Sequence, residues 1–279
     1  MIIGIDAGNY ESKLVTAHGA FKFRSCLGEW REFNLDTGAL TDDDIIYEYK
    51  GTKGFAGTLA EKESLFIREM AGDTKAHEDA VLRILIGIHR YASDLEHDII
   101  VGQPIRRHKA DKSRIVEMLR GKHTITVNGV TKTFTIRNVA VAPEGAGAYV
   151  AYRGGESKVR IVDVGSATVN CATVVDGRFN DRDSWTLAFG ANSAESYDVE
   201  RLVDAIIANA SKRWAKGDCV RVCGGMAEVM APLLRKYFGN VAVMKPMVPK
   251  GHSAMTFVGP TYANAAGFYE IARGHYGSK

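Results

Sequence analysis

Apolar positions along this chain switch between two rhythms, one of period two and one of period nearly four. Between Ala76 and Leu95, Val81, Leu82, Leu85, Ile86 and Ile88 recur at helical spacing, which predicts a helix packed on a sheet. The stretch "DIIVGQP" follows as a buried strand stopped by Gly102 and Pro104, and a second helix is expected over 112–120. In "HTITVNGVTKTFTIRNVAVAP", β-formers alternate on both sides of Asn128-Gly129, the strongest hairpin signal in the chain. "EGAGAYVAY" opens another helix. The second half repeats the cycle: strand, turn and strand from Val159, with Asp176-Gly177 as a further hairpin turn. A helix over 195–216 follows, with Val199, Leu202, Val203, Ile206, Ile207 and Trp214 on one face, then the strand "CVRVCGG". The pattern ends with a helix over 226–238, a short strand "VAVMKP" and a last helix over 261–273. After the N-terminal strand and turn, short strands are expected through about Arg24, then a mixed, polar stretch up to about Ala60, where "GTKGFAGTLA" has the glycine density of turns, a part that reads as a small lobe.

One phrase occurs twice. "IGIDAGNYESKL" begins at residue 3 and "IVDVGSATVNCA" at residue 161, each an apolar strand, then Asp, one residue, Gly and a polar turn. Taken singly, each is a common β-turn opening. As a pair, each heading one half of the chain, they predict an internal duplication whose halves face each other across a cleft. A glycine turn between strands lets backbone N–H groups approach a polyphosphate, and an Asp at the strand end can hold a water of hydrated Mg²⁺. "VRVCGGMAEVM" adds a Gly pair between a buried strand and a helix, in the order such a duplication requires.

At 279 residues, 46% hydrophobic and 25% charged, the chain can bury a large core. No apolar run approaches the roughly 18–20 residues that span a bilayer, and the N-terminus is strand-like from its first residues, so a cytoplasmic protein without membrane contact is expected. Cys26, Cys171, Cys219 and Cys223 lack zinc-knuckle spacing and read as reduced core thiols. A net charge of +3 is no signature of nucleic-acid binding. The cluster Arg106-Arg107-His108-Lys109 reads equally well as a solvated loop or helix start.

In order and spacing, five segments resemble the actin, Hsp70 and sugar-kinase ATPase superfamily, and within it the bacterial plasmid-segregation actins of the ParM/StbA type. They are "DAGNYESK", "VAVAPEGAGAY", "DVGSATVN", "VCGGMAE" and "ANAAGFYEIA". The resemblance implies an α/β protein with the actin-like ATPase fold, two duplicated RNase H-like lobes around a nucleotide cleft. It implies a first lobe over 1–155 with a small insertion at about 25–70, a second over 156–260, and a C-terminal helix at about 261–279 returning to the first. It implies ATP or GTP with Mg²⁺ as cofactors. Asp6, Ala7, Gly8, Asn9 and Lys13 then form the first phosphate loop, Gly165, Ser166, Ala167 and Thr168 the second, and Gly224, Gly225 and Met226 the adenosine segment. Asp6 and Asp163 hold the metal through water, Asp163 is also catalytic, and Glu144 orients the attacking water. Asn9 replaces the usual Ser, and Ala167 stands where Gly or Thr is common. Only about 55 residues separate Asp163 from Gly225, so the second lobe lacks most of the inserted subdomain (IIB), as in the short AlfA-like proteins.

The function implied is a filament-forming nucleoside triphosphatase that segregates plasmid DNA. Its partners are further copies of itself, head to tail in a multi-stranded filament, and a DNA-binding adaptor; no direct nucleic-acid contact is expected. Two alternatives share the fold: a small-molecule (sugar or acid) kinase and a non-polymerising ATPase switch. A kinase needs an Asp base in the first half, and none there is convincing: Asp94 and Asp98 border a helix end and Asp111 sits in a charged loop.

Overall fold

The computed structural model describes residues 1–279 apart from 35–39, 69–73, 153, 194–197, 252–253 and 278–279. The first half is a nine-stranded sheet. Its centre is β1 (Ile2–Ala7), antiparallel to β2 (Glu11–Thr16) and parallel to β7 (Glu96–Gln103), which is parallel in turn to β9 (Val130–Pro143). The outer strand on the β2 side is β3 (Gly19–Arg24). The second half has the same plan. There β10 (Lys158–Val164) is antiparallel to β11 (Val169–Val175) and parallel to β14 (Cys219–Gly224), which is parallel to β15 (Asn240–Val243). Beyond β11 lie the short β12 (Arg178–Phe179) and β13 (Trp185–Leu187). The duplication expected from the repeated phrase is thus present in strand order and direction.

The remaining strands extend the first sheet. β4 (Leu27–Glu29), β5 (Asp44–Tyr49) and β6 (Thr52–Gly57) form an antiparallel unit followed by α1 (Thr58–Glu63). Within the polar stretch before Ala60, residues 44–57 are therefore paired strands, and "GTKGFAGTLA" is a strand running into a helix, with a turn at Lys50-Gly51. Glycine suits β6 because the Tyr47 ring covers Gly54, where a Cβ would overlap it. The unit is fused to the main sheet: Tyr47, Glu48 and Tyr49 pair with β8 (Gly121–Val127), the partner of β9 in the predicted hairpin. Asn128 and Gly129 both have positive φ, as the tight hairpin requires, and the Asn128 side chain accepts from Ile46 N and donates to Asp44 O.

Helices cover the sheets. α2 (Glu78–Tyr91) is capped by His77, whose ring accepts from Ala80 N. α3 (Ile105–Leu119) begins directly after Pro104, seven residues earlier than expected. Its first turns are the Arg106-Arg107 cluster, too polar for apolar spacing to reveal. Asp111 is consequently a buried helical residue and not part of a loop. α5 (Val199–Ala210), capped by Asp198, and α6 (Ala227–Leu234) are both shorter than expected; residues 195–197 of the former expectation lie outside the described residues. A hairpin of β16 (Met247–Lys250) and β17 (Ala254–Phe257) was not foreseen. All four cysteines are buried thiols. No helix among the described residues is long and apolar enough to cross a membrane.

Between β13 and α5 no subdomain is inserted; the described residues there form a turn around Gly190.

Two helices set the geometry where the halves meet: α4 (Ala146–Ala151), after β9, and α7 (Ala263–Tyr276), entered through a 3₁₀ turn at Pro260–Tyr262. They approach until backbones touch. A Cβ on Gly267 would overlap the carbonyl of Gly147, one on Gly147 would overlap the Phe268 ring, and one on Gly4 of β1 would overlap the backbone of α7. Gly267→Ala is therefore expected to destabilise by about 1–3 kcal/mol, since overpacking outweighs the helix-propensity gain. Gly274→Ala, on the same helix with open space around it, should be neutral or stabilising by up to about 1 kcal/mol. Thermal unfolding of the two variants checks this; equal effects would show that the contact does not limit stability.

Candidate functional site

The two repeats place equivalent carboxylates at equivalent strand ends. Asp6, near the end of β1, lies across from Lys13 on β2; Asp163, near the end of β10, lies across from Asn170 on β11. Each pair is seven residues apart, with the turn glycine, Gly8 or Gly165, two residues past the Asp. A Cβ on Gly8 would overlap the Glu11 carbonyl, and Gly224, with φ +93, lies against the Val164 carbonyl, where no side chain fits. These turns, with Gly225 and Met226, surround a cleft of about 320 Å³ between the sheets. Every residue singled out from the sequence lines it except Ala7, which is buried in the core behind the first loop.

Three carboxylates converge on the cleft floor: Asp6, Asp163 and Glu144, all buried. Glu144 follows β9, with its backbone N–H donating to Gln103 O (3.0 Å). Sequence reading missed their counter-ion. Lys75, 7% exposed, donates to Asp6 Oδ1 at 2.9 Å and forms an ion pair with Glu144 Oε1. It lies in an irregular segment before α2, with no periodicity or motif to mark it. Its N–H donates to Gln103 Oε1 (2.8 Å), and Gln103 Nε2 donates to Thr74 Oγ1 and Asp111 Oδ2 (both 3.1 Å).

Neutral amides carry the network to the second half. Asn170 Nδ2 donates to Glu144 Oε2 (2.9 Å) and Asp163 Oδ2 (3.4 Å), and its Oδ1 accepts from Thr186 Oγ1 (2.8 Å). Asn264 of α7 donates to Asp163 Oδ2 and accepts from Gly145 N, both at 2.9 Å. Lys13 stands at the rim, its ammonium on the Glu11 carbonyl (3.1 Å). The turn at 190–192 supports the second loop: Ala191 N donates to Gly165 O (2.9 Å) and Asn192 N to Ser166 O (2.8 Å).

This arrangement divides the carboxylates. Burial pushes Asp6 up, but Lys75 and then Lys13 outweigh it and hold its pKa below the ordinary value. Burial raises Glu144, and the charges of Asp6 and Asp163 add to the rise beyond what Lys75 offsets. Asp163 is raised by burial and then by Asp6. Burial would lower the Lys75 ammonium, but Asp6 and Glu144 reverse this and raise it.

Three buried carboxylates against one buried ammonium leave the floor deficient in positive charge, which suits a bound cation. Among the described residues no group of three or more His, Cys, Asp or Glu could hold a metal directly. The turns bring Gly8, Gly165, Gly224 and Gly225, backbone without side chains, to the cleft, and Asn9 Oδ1 is buried without a hydrogen-bond partner. A polyphosphate with a hydrated divalent cation fits both features.

Residues 4–147 match the family model described as actin like proteins N terminal domain. The chain belongs to the actin-like protein family. Solved actin-like structures of the same fold match it over nearly its whole length. The AlfA filament bound to AMPPNP is 20% identical with TM-score 0.76, covering 99% of this chain and 97% of that one. The apo psk41 ParM protein is 14% identical with TM-score 0.75, covering 99% and 98%. Ta0583, an archaeal actin homolog in complex with ADP, is 18% identical with TM-score 0.73, covering 98% and 99%. Comparison with curated proteins finds no match. Within this actin-like cleft, the Asp residues considered as a kinase base take no part: Asp94 pairs with the N-terminal ammonium, Asp98 with Arg137, and Asp111 with Arg107.

The raised Asp163 makes its charge a burden on folding. Asp163→Asn keeps an acceptor for Asn170 and Asn264 and turns its amide toward Cys223 Sγ, which now donates to Asp163 Oδ1 (3.6 Å). A carboxylate with a raised folded pKa lowers stability above the ordinary carboxylate range and leaves it unchanged below that range. The variant should therefore melt a few degrees higher at pH 7, the gain vanishing as pH falls toward about 4. Melting curves from pH 4 to 8 test this; a lower melting temperature at pH 7 would contradict it.

Proposed function

We propose that this actin-like protein binds ATP or GTP with Mg²⁺ in the cleft, hydrolyses it, and assembles head to tail into multi-stranded filaments that move plasmid DNA through a DNA-binding adaptor. The observation that carries the reading is the meeting of Asp6, Lys75, Glu144 and Asp163, from both repeats, on the floor of one glycine-walled cleft. The lobes on this reading are residues 1–155, with the insertion at about 25–70 and the helix at about 261–279, and residues 156–260. Support for assembly comes from similarity to the AlfA filament, and for nucleotide binding from the AMPPNP and ADP held by relatives. The small net charge agrees with contact to DNA through an adaptor, and the protein works in the cytoplasm.

Asp6 and Asp163 would hold the metal through water, and the metal would neutralise phosphate charge as the terminal bond breaks. The glycine turns, with Asn9, Ser166, Ala167 and Thr168, bind the phosphates through backbone and short side chains. Lys13 faces them from the rim, and Gly224, Gly225 and Met226 form the wall for the nucleoside. Glu144 orients the attacking water and accepts its proton, and burial raises its pKa above the ordinary carboxylate value. Asn170 and Lys75 fix the Glu144 carboxylate from opposite sides. Filaments need a heterologous interface that does not close into a ring.

Light scattering and negative-stain microscopy after adding Mg-ATP or Mg-GTP test assembly, and a monomer unchanged by both would refute it. Glu144→Ala should slow hydrolysis about 10²- to 10⁴-fold while nucleotide binding and assembly persist, giving longer-lived polymers. Phosphate release at the wild-type rate would remove Glu144 from the chemistry.

A further inference from the structure

The Arg106-Arg107-His108-Lys109 cluster, which takes no part in the cleft, opens a larger basic surface. Residues 105–122, α3 and the start of β8, hold seven of the chain's 36 Lys and Arg and only two of its 33 acids. That surplus of five exceeds the whole chain's +3, so everything outside the stretch is net negative. One of the two acids, Asp111, is buried and already bound by Thr74, Gln103 and Arg107. Lys109, Lys112, Arg114, Arg120 and Lys122 are all exposed, and Glu117 is the one exposed acid between them. None of these five cations has an ion-pair partner among the described residues, in contrast to Arg107. At about 100° per residue, the cations of α3 spread over about half the helix circumference. The surface continues past the helix. β5 leaves β8 after Tyr49, at the Lys50-Gly51 turn, while β8 extends back to Gly121. Their divergence opens a groove of about 420 Å³ whose lining includes Lys50, Lys122, Thr124 and Thr126, with Glu48 as its one acid.

We infer that α3 and this groove contact the phosphate backbone of duplex DNA directly, without reading its sequence. Lysine, arginine and threonine side chains are the groups that hold phosphate oxygens, and a helix of 15 residues, about 22 Å long, spans about six base pairs. Cations on both flanks of a helix suit a groove with a phosphate rim on either side better than they suit a flat anionic surface. No large apolar side chain of residues 105–122 is exposed. The face therefore lacks the apolar residues with which a helix enters a lipid surface and the anchors that carry a protein interface. The whole-chain charge hides this surface because the rest of the chain offsets it. The contact adds to an adaptor and does not replace one, since phosphate contacts position a protein on DNA and carry no sequence information. A few such contacts hold one copy weakly, and copies joined in a filament would add theirs along one duplex. Only that gain rests on the assembly reading.

Fluorescence anisotropy of two labelled duplexes of unrelated sequence, titrated with the nucleotide-free protein over a range of salt concentrations, tests the contact. Both duplexes should bind alike, with a log–log slope of affinity against salt of about −4, the value for roughly four or five neutralised phosphates. The combined variant Lys109→Gln, Lys112→Gln, Arg114→Gln should flatten that slope by about 3 and weaken binding roughly tenfold or more, with the melting temperature unchanged. A control with the same net charge, Arg178→Gln, Lys212→Gln, Lys245→Gln, removes three exposed cations of the second half and should bind nearly as the wild type does. Equal loss in the two variants, absence of duplex binding at low salt, or a strong preference for one duplex would each overturn the inference. So would binding to phosphatidylserine vesicles with none to duplex. A protein that binds duplex in this way but does not assemble with Mg-ATP or Mg-GTP would refute the assembly reading and leave the contact standing.

Discussion

A buried ammonium between Asp6 and Glu144 holds the cleft together. Without it, three carboxylates would share a site shielded from water, and at least one would have to protonate or swing out. With it, Asp6 stays charged while Glu144 and Asp163 are biased toward taking up a proton. Charge on the floor is thus unevenly shared before any ligand arrives. Lys75 belongs to neither repeat of the duplicated phrase. It comes from the segment between the small antiparallel unit and α2, so the chemistry of the cleft depends on a part of the chain that the duplication does not include.

The second constraint is backbone proximity. α4 and α7 meet at Gly147 and Gly267, and α7 lies on β1 at Gly4, without a Cβ at any of the three positions. That closeness brings Asn264 between Gly145 N and Asp163, from which it ties the start of α4 to the second sheet. Asn170 makes the matching link from the other side, between Glu144, Asp163 and Thr186. Both links are amides, which donate and accept at once and add no charge to a site already rich in it. Together they fix the relation of the two sheets at the floor of the cleft.

The short second half shapes the cleft mouth. Where an inserted subdomain would follow β13, the described residues make a turn whose N–H groups bond to Gly165 O and Ser166 O. The second loop is thereby braced from behind by backbone alone, at the position where Gly190 lies against it. The first loop is braced differently, by Ser25 Oγ donating to Gly8 O (2.6 Å) and paired with Ser12 Oγ.

The sequence by itself determined the strands and tight turns. Alternation, Asn128-Gly129, Asp176-Gly177 and the repeated Asp-x-Gly phrase are local signals whose meaning is set by backbone conformation within a few residues. That same phrase marked the two glycine turns along the cleft, because turn chemistry and phosphate approach both demand glycine, while resemblance to a family supplied Glu144, Gly224, Gly225 and Met226, and Lys75, Pro104, Ala191 and Asn192 on the same wall went unnamed. Elements governed by packing stayed hidden: the strands of 27–57 lack clean alternation because both faces are partly covered, and α3 begins in arginines that carry no apolar rhythm. Lys75, Asn170 and Asn264 acquired their roles only in three dimensions, since a counter-ion or a bridging amide is defined by what lies across from it. Residues 75 and 144, like residues 163 and 264, are far apart in the chain, and no local pattern records that folding brings each pair within hydrogen-bond reach.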